Sequence, residues 1–315
     1  MELGFRGLHP IANLIFFISI TVFGMLFRHP LTVAVCFIAA LVYYIRLCRK
    51  SAAKTFLCFL LPTLVAVTLI NMFFSHYGAT RLFGLPGGNS VTFESLFYGF
   101  LLGASAVSIM MWFFCYNETV TTDKFLHVFG RALPAAALVV SMALRLIPVY
   151  RNRLSVIADG QSGIGKGAES GKLSDRVKNG SDMISVLITW SLENAVETSD
   201  AMRSRGYGLK GRTSYSRFEW RIKDILSTVF MLLLDVVMTA GYAAKAVSCV
   251  YNPCVVINPA ADLQKAYTIN ALNITLNPLS VSGVLTLAAF CLLAFLPLII
   301  DLKEELKWKR LKLKI

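Results

Sequence analysis

At 315 residues the chain is 56% hydrophobic with a mean hydropathy of +0.63, against an apolar share of roughly 45–50% in soluble domains, which excludes a wholly water-soluble enzyme or binding module. The formal net charge of +13 would suggest nucleic acid as the partner of a soluble protein. Its placement along this chain points instead to a lipid bilayer and to no nucleic acid.

A hydrocarbon core about 30 Å thick takes about 20 apolar helical residues per crossing. Runs of that kind lie at 11–27, 31–45, 56–74, 96–115, 225–244 and 281–300. The fold class is therefore an all-α polytopic membrane protein of about six transmembrane helices with a cytoplasmic helical domain. Glu2 and Arg6 precede the first run, no small-residue cleavage site follows it, and a second span comes close behind. The first helix is expected to be retained rather than removed as a secretory signal. Arg28, His29 and Pro30 read as a tight external turn, and residues 46–54 as a short basic internal one.

Residues 85–89, Leu-Pro-Gly-Gly-Asn, read as a turn. The helix that follows carries Ser95, Gly99 and Gly103 at four-residue spacing, a stripe with little side chain that lets another helix approach closely. The partner is either a helix of this chain or a second membrane protein, and the same physics serves both.

A seventh apolar run, 132–149, contains Arg145 and reaches Pro148. Of 31 Lys and Arg residues, four lie in 46–54, sixteen in 124–223 and six in 303–314. With the amino terminus inside and six crossings, all three clusters face the cytoplasm, as the positive-inside rule requires. The run 132–149 is accordingly read as a helix tilted into the membrane domain, or lying at its inner surface, that returns to the cytoplasm.

Residues 117–223 hold 16 basic and 10 acidic side chains and are expected to form a cytoplasmic unit. The implied division is 1–116, an N-terminal four-helix membrane bundle; 117–223, a tilted helix and cytoplasmic helices; and 224–315, two further membrane helices with an external loop and a basic tail. Residues 173–205 read as one long helix with Ile184, Ile188, Leu192 and Val196 on a packing face and Glu193, Glu197 and Asp200 toward water. Gly206 and Gly208 end it, as a left-handed residue closes a last turn. Its carboxyl end presents Arg203 and Arg205, where the helix dipole favours cations and a guanidinium offers a planar fork to a carboxylate.

Residues 160–167, Gly-Gln-Ser-Gly-Ile-Gly-Lys-Gly, approach a phosphate-binding loop but lack the Ser or Thr after the lysine and the preceding buried strand. They read as an elbow between two helices, and no bound cofactor is expected. The four histidines fall near membrane boundaries, and no Cys/His spacing supports a metal. Cys249 and Cys254 share the external loop as a disulfide or as two thiols. The six cations after residue 302 are expected to lie against anionic headgroups.

From about residue 8 to 224 the chain resembles the transmembrane T subunit of energy-coupling factor (ECF) transporters, the EcfT/CbiQ family. The resemblance is carried by Leu8-His-Pro, the Pro86-Gly-Gly turn, Ala143-Leu-Arg-Leu-Ile-Pro148, Leu173-Ser-Asp-Arg-Val-Lys178, Ala201-Met-Arg-Ser-Arg-Gly-Tyr207 and Gly211-Arg-Thr-Ser-Tyr215. It implies two cytoplasmic coupling helices, each ending in an Ala-Arg-Gly-like motif whose arginine docks on one of two ABC ATPase subunits. A separate small membrane protein, the S component, binds the micronutrient, a vitamin or a metal ion. ATP is hydrolysed by the partner subunits and not by this chain. The second motif carries over as Ser204-Arg205-Gly206, with Arg205 docking beside Arg203. The first falls on Gly163-Ile164-Gly165, with Ile164 where the arginine is expected. That contact is therefore apolar, or weaker, or taken by Lys166 or Arg153, an inequality that favours two different ATPases. The Ser95–Gly99–Gly103 stripe would serve packing or the S component. The implied location is the inner membrane of a bacterial or archaeal cell, with both termini cytoplasmic. A stand-alone channel or ion-coupled carrier is the competing class, and it would tolerate loss of Arg205.

Overall fold

A computed structural model describes residues 4–48, 52–75, 78, 81–84, 90–167, 172–207, 218–251, 256–257, 275–276 and 280–312. The chain divides into two compact units, one of residues 1–124 with 218–315 and one of 125–217. The first and last segments of the sequence division thus share a single unit.

In the first unit a 3-10 turn, Gly4–Gly7, precedes α1 (Pro10–Leu26) and α2 (Pro30–Leu47). Both helices start the same way. His9 and His29 are N-caps whose Nδ1 accepts from the N–H two residues on, at 3.3 Å from Ile11 and 3.2 Å from Leu31, and proline follows each. Proline belongs at this position because its missing N–H has no intrahelical partner to lose and its φ is already helical. The imidazole supplies the acceptor that Ser or Asp usually supplies, while its ring stays buried at the end of the helix. His29→Ala is expected to lower stability by about 0.5–2 kcal/mol and His29→Asn to restore most of it, measured by thermal unfolding in detergent.

Next come α3 (Ala52–Thr55), a π-helical turn (Phe56–Leu60) and α4 (Leu61–Phe74). Pro62 cannot donate to the carbonyl one turn back and its ring crowds that carbonyl, and the wider π turn just before it takes up the misfit. Short strands β1 (Arg81–Gly84) and β2 (Ser90–Thr92) pair antiparallel; the expected turn at 85–89 lies outside the described residues. Thr92 caps α5 (Phe93–Thr119). The unit is completed by α9 (Ile222–Ala243) and α10 (Val281–Lys312), with β3 (Cys249–Val250), β4 (Val256–Ile257) and β5 (Thr275–Leu276) between them. Cys254 lies outside the described residues.

The core of this unit is aromatic. The Trp112 indole of α5 meets Phe16 at 5.5 Å and Phe17 at 6.3 Å edge-on, and Tyr43 at 6.0 Å, and Phe5 stands edge-on to Phe16 at 5.0 Å. Met231, Met238, Phe290 and Leu293 bring α9 and α10 into the same core. In a bilayer, close packing of this kind replaces the hydrophobic effect as the force between helices. One polar contact joins α1 to α9: Ser19 Oγ donates to Asp235 Oδ2 at 2.6 Å.

The stripe on α5 is filled from within the chain. A Cβ on Gly99 would stand 2.9 Å from the Asn71 Cβ and 3.1 Å from the Thr68 carbonyl, and one on Gly103 would stand 3.1 Å from the Leu64 carbonyl. All three neighbours belong to α4. Ser95 is buried in the first turn of α5, its hydroxyl donating to the Thr92 carbonyl at 2.8 Å.

The second unit contains most of α6 (Thr122–Ala132), then α7 (Pro134–Gly163) and α8 (Leu173–Ser204). Most of the run 132–149 lies in one 30-residue helix, which carries Pro148 in its interior and continues to Gly163. At 1.5 Å per residue this helix is about 45 Å long, long and apolar enough to cross a membrane. Among the described residues six helices meet that description, and α1, at 17 residues, falls just short of it.

A correction concerns α8. Ile184, Ile188, Leu192 and Val196 are all more than half exposed. The face turned to α7 carries Met183, which is buried, and Trp190, whose ring is edge-on to Tyr150 at 6.0 Å with the Arg153 guanidinium 5.0 Å from its centroid. Asn179 Nδ2 also donates to the Gly167 carbonyl at 3.1 Å. The helix has two apolar stripes, and an indole offering edge, face and area to a neighbour outweighs a row of aliphatic side chains.

Candidate functional site

The ends of α7 and α8 are the same structure built twice. In α8 the C-cap is Arg205 (φ −81°, ψ 6°), and Gly206 follows at φ +76°. The Gly206 N–H donates to Arg203 O at 3.0 Å and the Tyr207 N–H to Met202 O at 3.0 Å. In α7 the C-cap is Ile164 (φ −99°, ψ 14°), and Gly165 follows at φ +78°. The Gly165 N–H donates to Ser162 O at 3.0 Å and the Lys166 N–H to Gln161 O at 2.9 Å.

Each pair of bonds is a Schellman closure, in which a left-handed residue turns the chain so that two late N–H groups satisfy carbonyls of the last turn. Glycine holds the left-handed position because a Cβ there would be strained. The residue before it points away from the helix end. Ile164 is 68% exposed, and Ser204, Arg205 and Arg203 are exposed as well. The alignment of Gly163-Ile164-Gly165 with Ser204-Arg205-Gly206, made on sequence alone, is thus an equivalence of backbone position.

Chemically the two ends differ. The Arg205 end places a guanidinium where the carbonyl end of the helix dipole holds cations, with five N–H donors available to a carboxylate. The Ile164 end places a bare aliphatic group in the same place. Of the two cations considered as substitutes there, Arg153 is held over Trp190, about three turns back, while Lys166 follows the cap and is exposed. Residues 160–163 are the last helical turn of α7 rather than a loop, so their backbone N–H groups are not splayed to cradle phosphate. Gly208 and the 211–215 motif lie outside the described residues.

Sequence reasoning missed what holds the chain where it leaves and re-enters the first unit. Lys124, 2% exposed, donates through Nζ to Arg6 O at 2.6 Å and Thr119 O at 3.0 Å. Trp220 stacks on His9 with ring centroids 3.9 Å apart. Both points are therefore tied to residues 6–9. The carboxyl half of α10 holds the same segment: Asp301 accepts from the Phe5 N–H at 2.6 Å, Glu304 from the Gly4 N–H, and Glu305 pairs with Arg46 at 2.7 Å. This corrects the reading of the tail as membrane anchoring alone. The available signal was the presence of acidic residues at 301, 304 and 305 in an otherwise basic tail.

Similarities to known proteins bear on these observations. A family model described as CbiQ, cobalt transport protein, matches residues 5–215. An "Energy-coupling factor transporter transmembrane protein EcfT" of Listeria innocua is 31% identical over 220 residues, covering 65% of this chain and 81% of that protein. The proteins of the same description from Lactobacillus helveticus and Bacillus selenitireducens are 36% and 35% identical over 112 and 108 residues, each match spanning 40% of the relative's length and 35% or 34% of this chain.

Proposed function

We propose, because this chain belongs to the CbiQ/EcfT family of transporter transmembrane proteins, that it is the coupling subunit through which two ATPases drive a separate substrate-binding S component in micronutrient uptake. The observation that carries the reading is the pair of matched caps, Ile164 before Gly165 and Arg205 before Gly206, on the two long helices of one unit. On this reading each cap seats on one ATPase, and closure of the ATPase pair moves the helix ends together. The chain itself binds neither ATP nor, tightly, the cargo, a vitamin or a metal ion.

The exposed aliphatic stripe of α8 supports the same view, because a helix with Ile184, Ile188, Leu192 and Val196 uncovered needs lipid or another protein against it. The S component is the partner proposed for it. The α5 stripe, occupied by α4, is assigned to packing. The anchors at Lys124 and Trp220 would pass movement of the helix hairpin to residues 6–9 and so to the start of α1. Both termini are placed on the cytoplasmic side of a bacterial or archaeal inner membrane, and two different ATPases suit two different caps.

Co-purification of the tagged chain from its native membrane, read by mass spectrometry, tests this. Recovery of an ATPase pair with a small membrane protein supports the coupling role, whereas a chain that transports alone and retains no ATPase in mild detergent is a stand-alone carrier. A second test addresses the unequal caps. Ile164→Arg adds a charged donor at a position whose backbone already matches that of Arg205, and is expected to tighten ATPase association by about tenfold, the worth of one charge-assisted hydrogen bond. Unchanged association would show that the missing arginine carries no weight.

A further inference from the structure

Where α1 turns into α2, a pocket of about 270 Å³ opens between α1, α2 and α5. Its back wall is one stripe of α5, with Tyr98, Leu101, Leu102, Ser105 and Ile109 at helical spacing. From the first to the last of these the stripe runs about 16 Å along the helix axis, roughly the depth of one leaflet of a 30 Å hydrocarbon core. Met25 and Val33 form the side walls.

The rim has a different chemistry. Arg28 Nη1 donates to the Tyr98 hydroxyl at 3.0 Å, the Tyr251 hydroxyl donates to the Arg28 carbonyl, and the two tyrosine rings lie 5.0 Å apart. The guanidinium is exposed, and among the described residues no carboxylate lines the pocket or pairs with it. A neutral phenol uses one of five N–H donors. Among the described residues the charge thus stands unneutralised at the mouth of an apolar slot, between two tyrosines of the kind that mark the bilayer interface.

We infer that this pocket is a binding site for one anionic glycerophospholipid, its acyl chain along the α5 stripe and its phosphate on Arg28. The slot supplies apolar area that a free phosphate cannot use. The guanidinium supplies a forked donor that distinguishes an anionic headgroup from a zwitterionic one, whose own cation competes for the phosphate. The bound lipid ties the α1–α2 turn, α5 and the Tyr251 loop into one outer cap on the bundle, a role separate from coupling.

The test is native mass spectrometry and thermal unfolding of the full chain in mild detergent, with phosphatidylglycerol, phosphatidylcholine or glycerol 3-phosphate added. One phosphatidylglycerol is expected to remain bound and to raise the unfolding midpoint, phosphatidylcholine to bind about tenfold more weakly, and glycerol 3-phosphate to have no effect. Arg28→Gln should weaken phosphatidylglycerol binding about tenfold, and Ala106→Phe, which fills the slot, should abolish it. Because Arg28 is exposed, its replacement leaves the bundle folded and the test stands even where the slot-filling variant is unstable. Equal binding of the two lipids, phosphatidylglycerol binding unchanged in Arg28→Gln, or headgroup alone binding as tightly as lipid would each overturn the assignment.

Discussion

Replacing Arg205 by alanine is expected to strip the ATPases from the complex and abolish transport while leaving the membrane bundle intact. The side chain is exposed at a helix C-cap, and the α8 closure is made by the backbone of residues 202, 203, 206 and 207, so truncation removes no bond that shapes the helix. On the coupling role proposed above, what is lost lies across the ATPase interface. Truncating one side of a buried, charge-assisted contact costs about 2–5 kcal/mol, and since 1.4 kcal/mol is tenfold, the complex weakens by well over tenfold. Arg205→Lys should recover part of the association, because it keeps the charge and loses the planar fork. The readout is ATPase retained per tagged chain, with the monodispersity and helical content of the purified variant as the folding control. Retention equal to wild type in Arg205→Ala would reduce Arg205 to a solvated helix end and leave the coupling role without its site.

Gly99→Leu is expected to have the largest effect on the fold itself. A first side-chain carbon at that position already lies within 3.1 Å of the Thr68 carbonyl, a backbone atom of α4 that cannot rotate away, and within 2.9 Å of the Asn71 Cβ. The remaining three carbons of leucine must then force α4 from α5 along their contact. Overpacking of this kind costs about 1–3 kcal/mol and occasionally more, and a backbone obstacle puts this case at the upper end, read as lost thermal stability and poor recovery of folded protein. Gly160→Ala, in the exposed last part of α7 with nothing within 4 Å of the added carbon, is the matching control. It should be neutral or stabilising by up to about 1 kcal/mol, the helix-propensity difference. If Gly99→Leu folded normally and instead released the S component, the stripe would be an interface between proteins and not the α4 contact.

Much of the candidate site was legible because it depends on local chemistry. A glycine after a cationic helix end announces its own left-handed closure, so Gly206 and the exposure of Arg205 follow from a few adjacent residues. Ile164 is located by the family resemblance instead, because an isoleucine before a glycine attracts no notice by itself. Local patterns could not say which of two apolar stripes on α8 meets α7. That choice depends on Tyr150 and Arg153, some forty residues away, both of which converge on Trp190. Nor could composition decide where run 132–149 ends, because Pro148 stops a helix in some surroundings and is carried through in others; here α7 continues to Gly163.

By itself the sequence determined the class of the molecule, since long apolar runs must satisfy their backbone as helices in lipid, and it determined the Arg205–Gly206 cap of α8, whose hydrogen bonds close within six residues. Only the tertiary structure decided which helix fills the α5 stripe, how Lys124 and Trp220 are held against residues 6–9, and that Asp301 and Glu304 grip the backbone at Phe5 and Gly4. The last of these contacts joins residues nearly three hundred positions apart. Their partners are set by how whole helices pack, and no periodicity within a single helix carries that information.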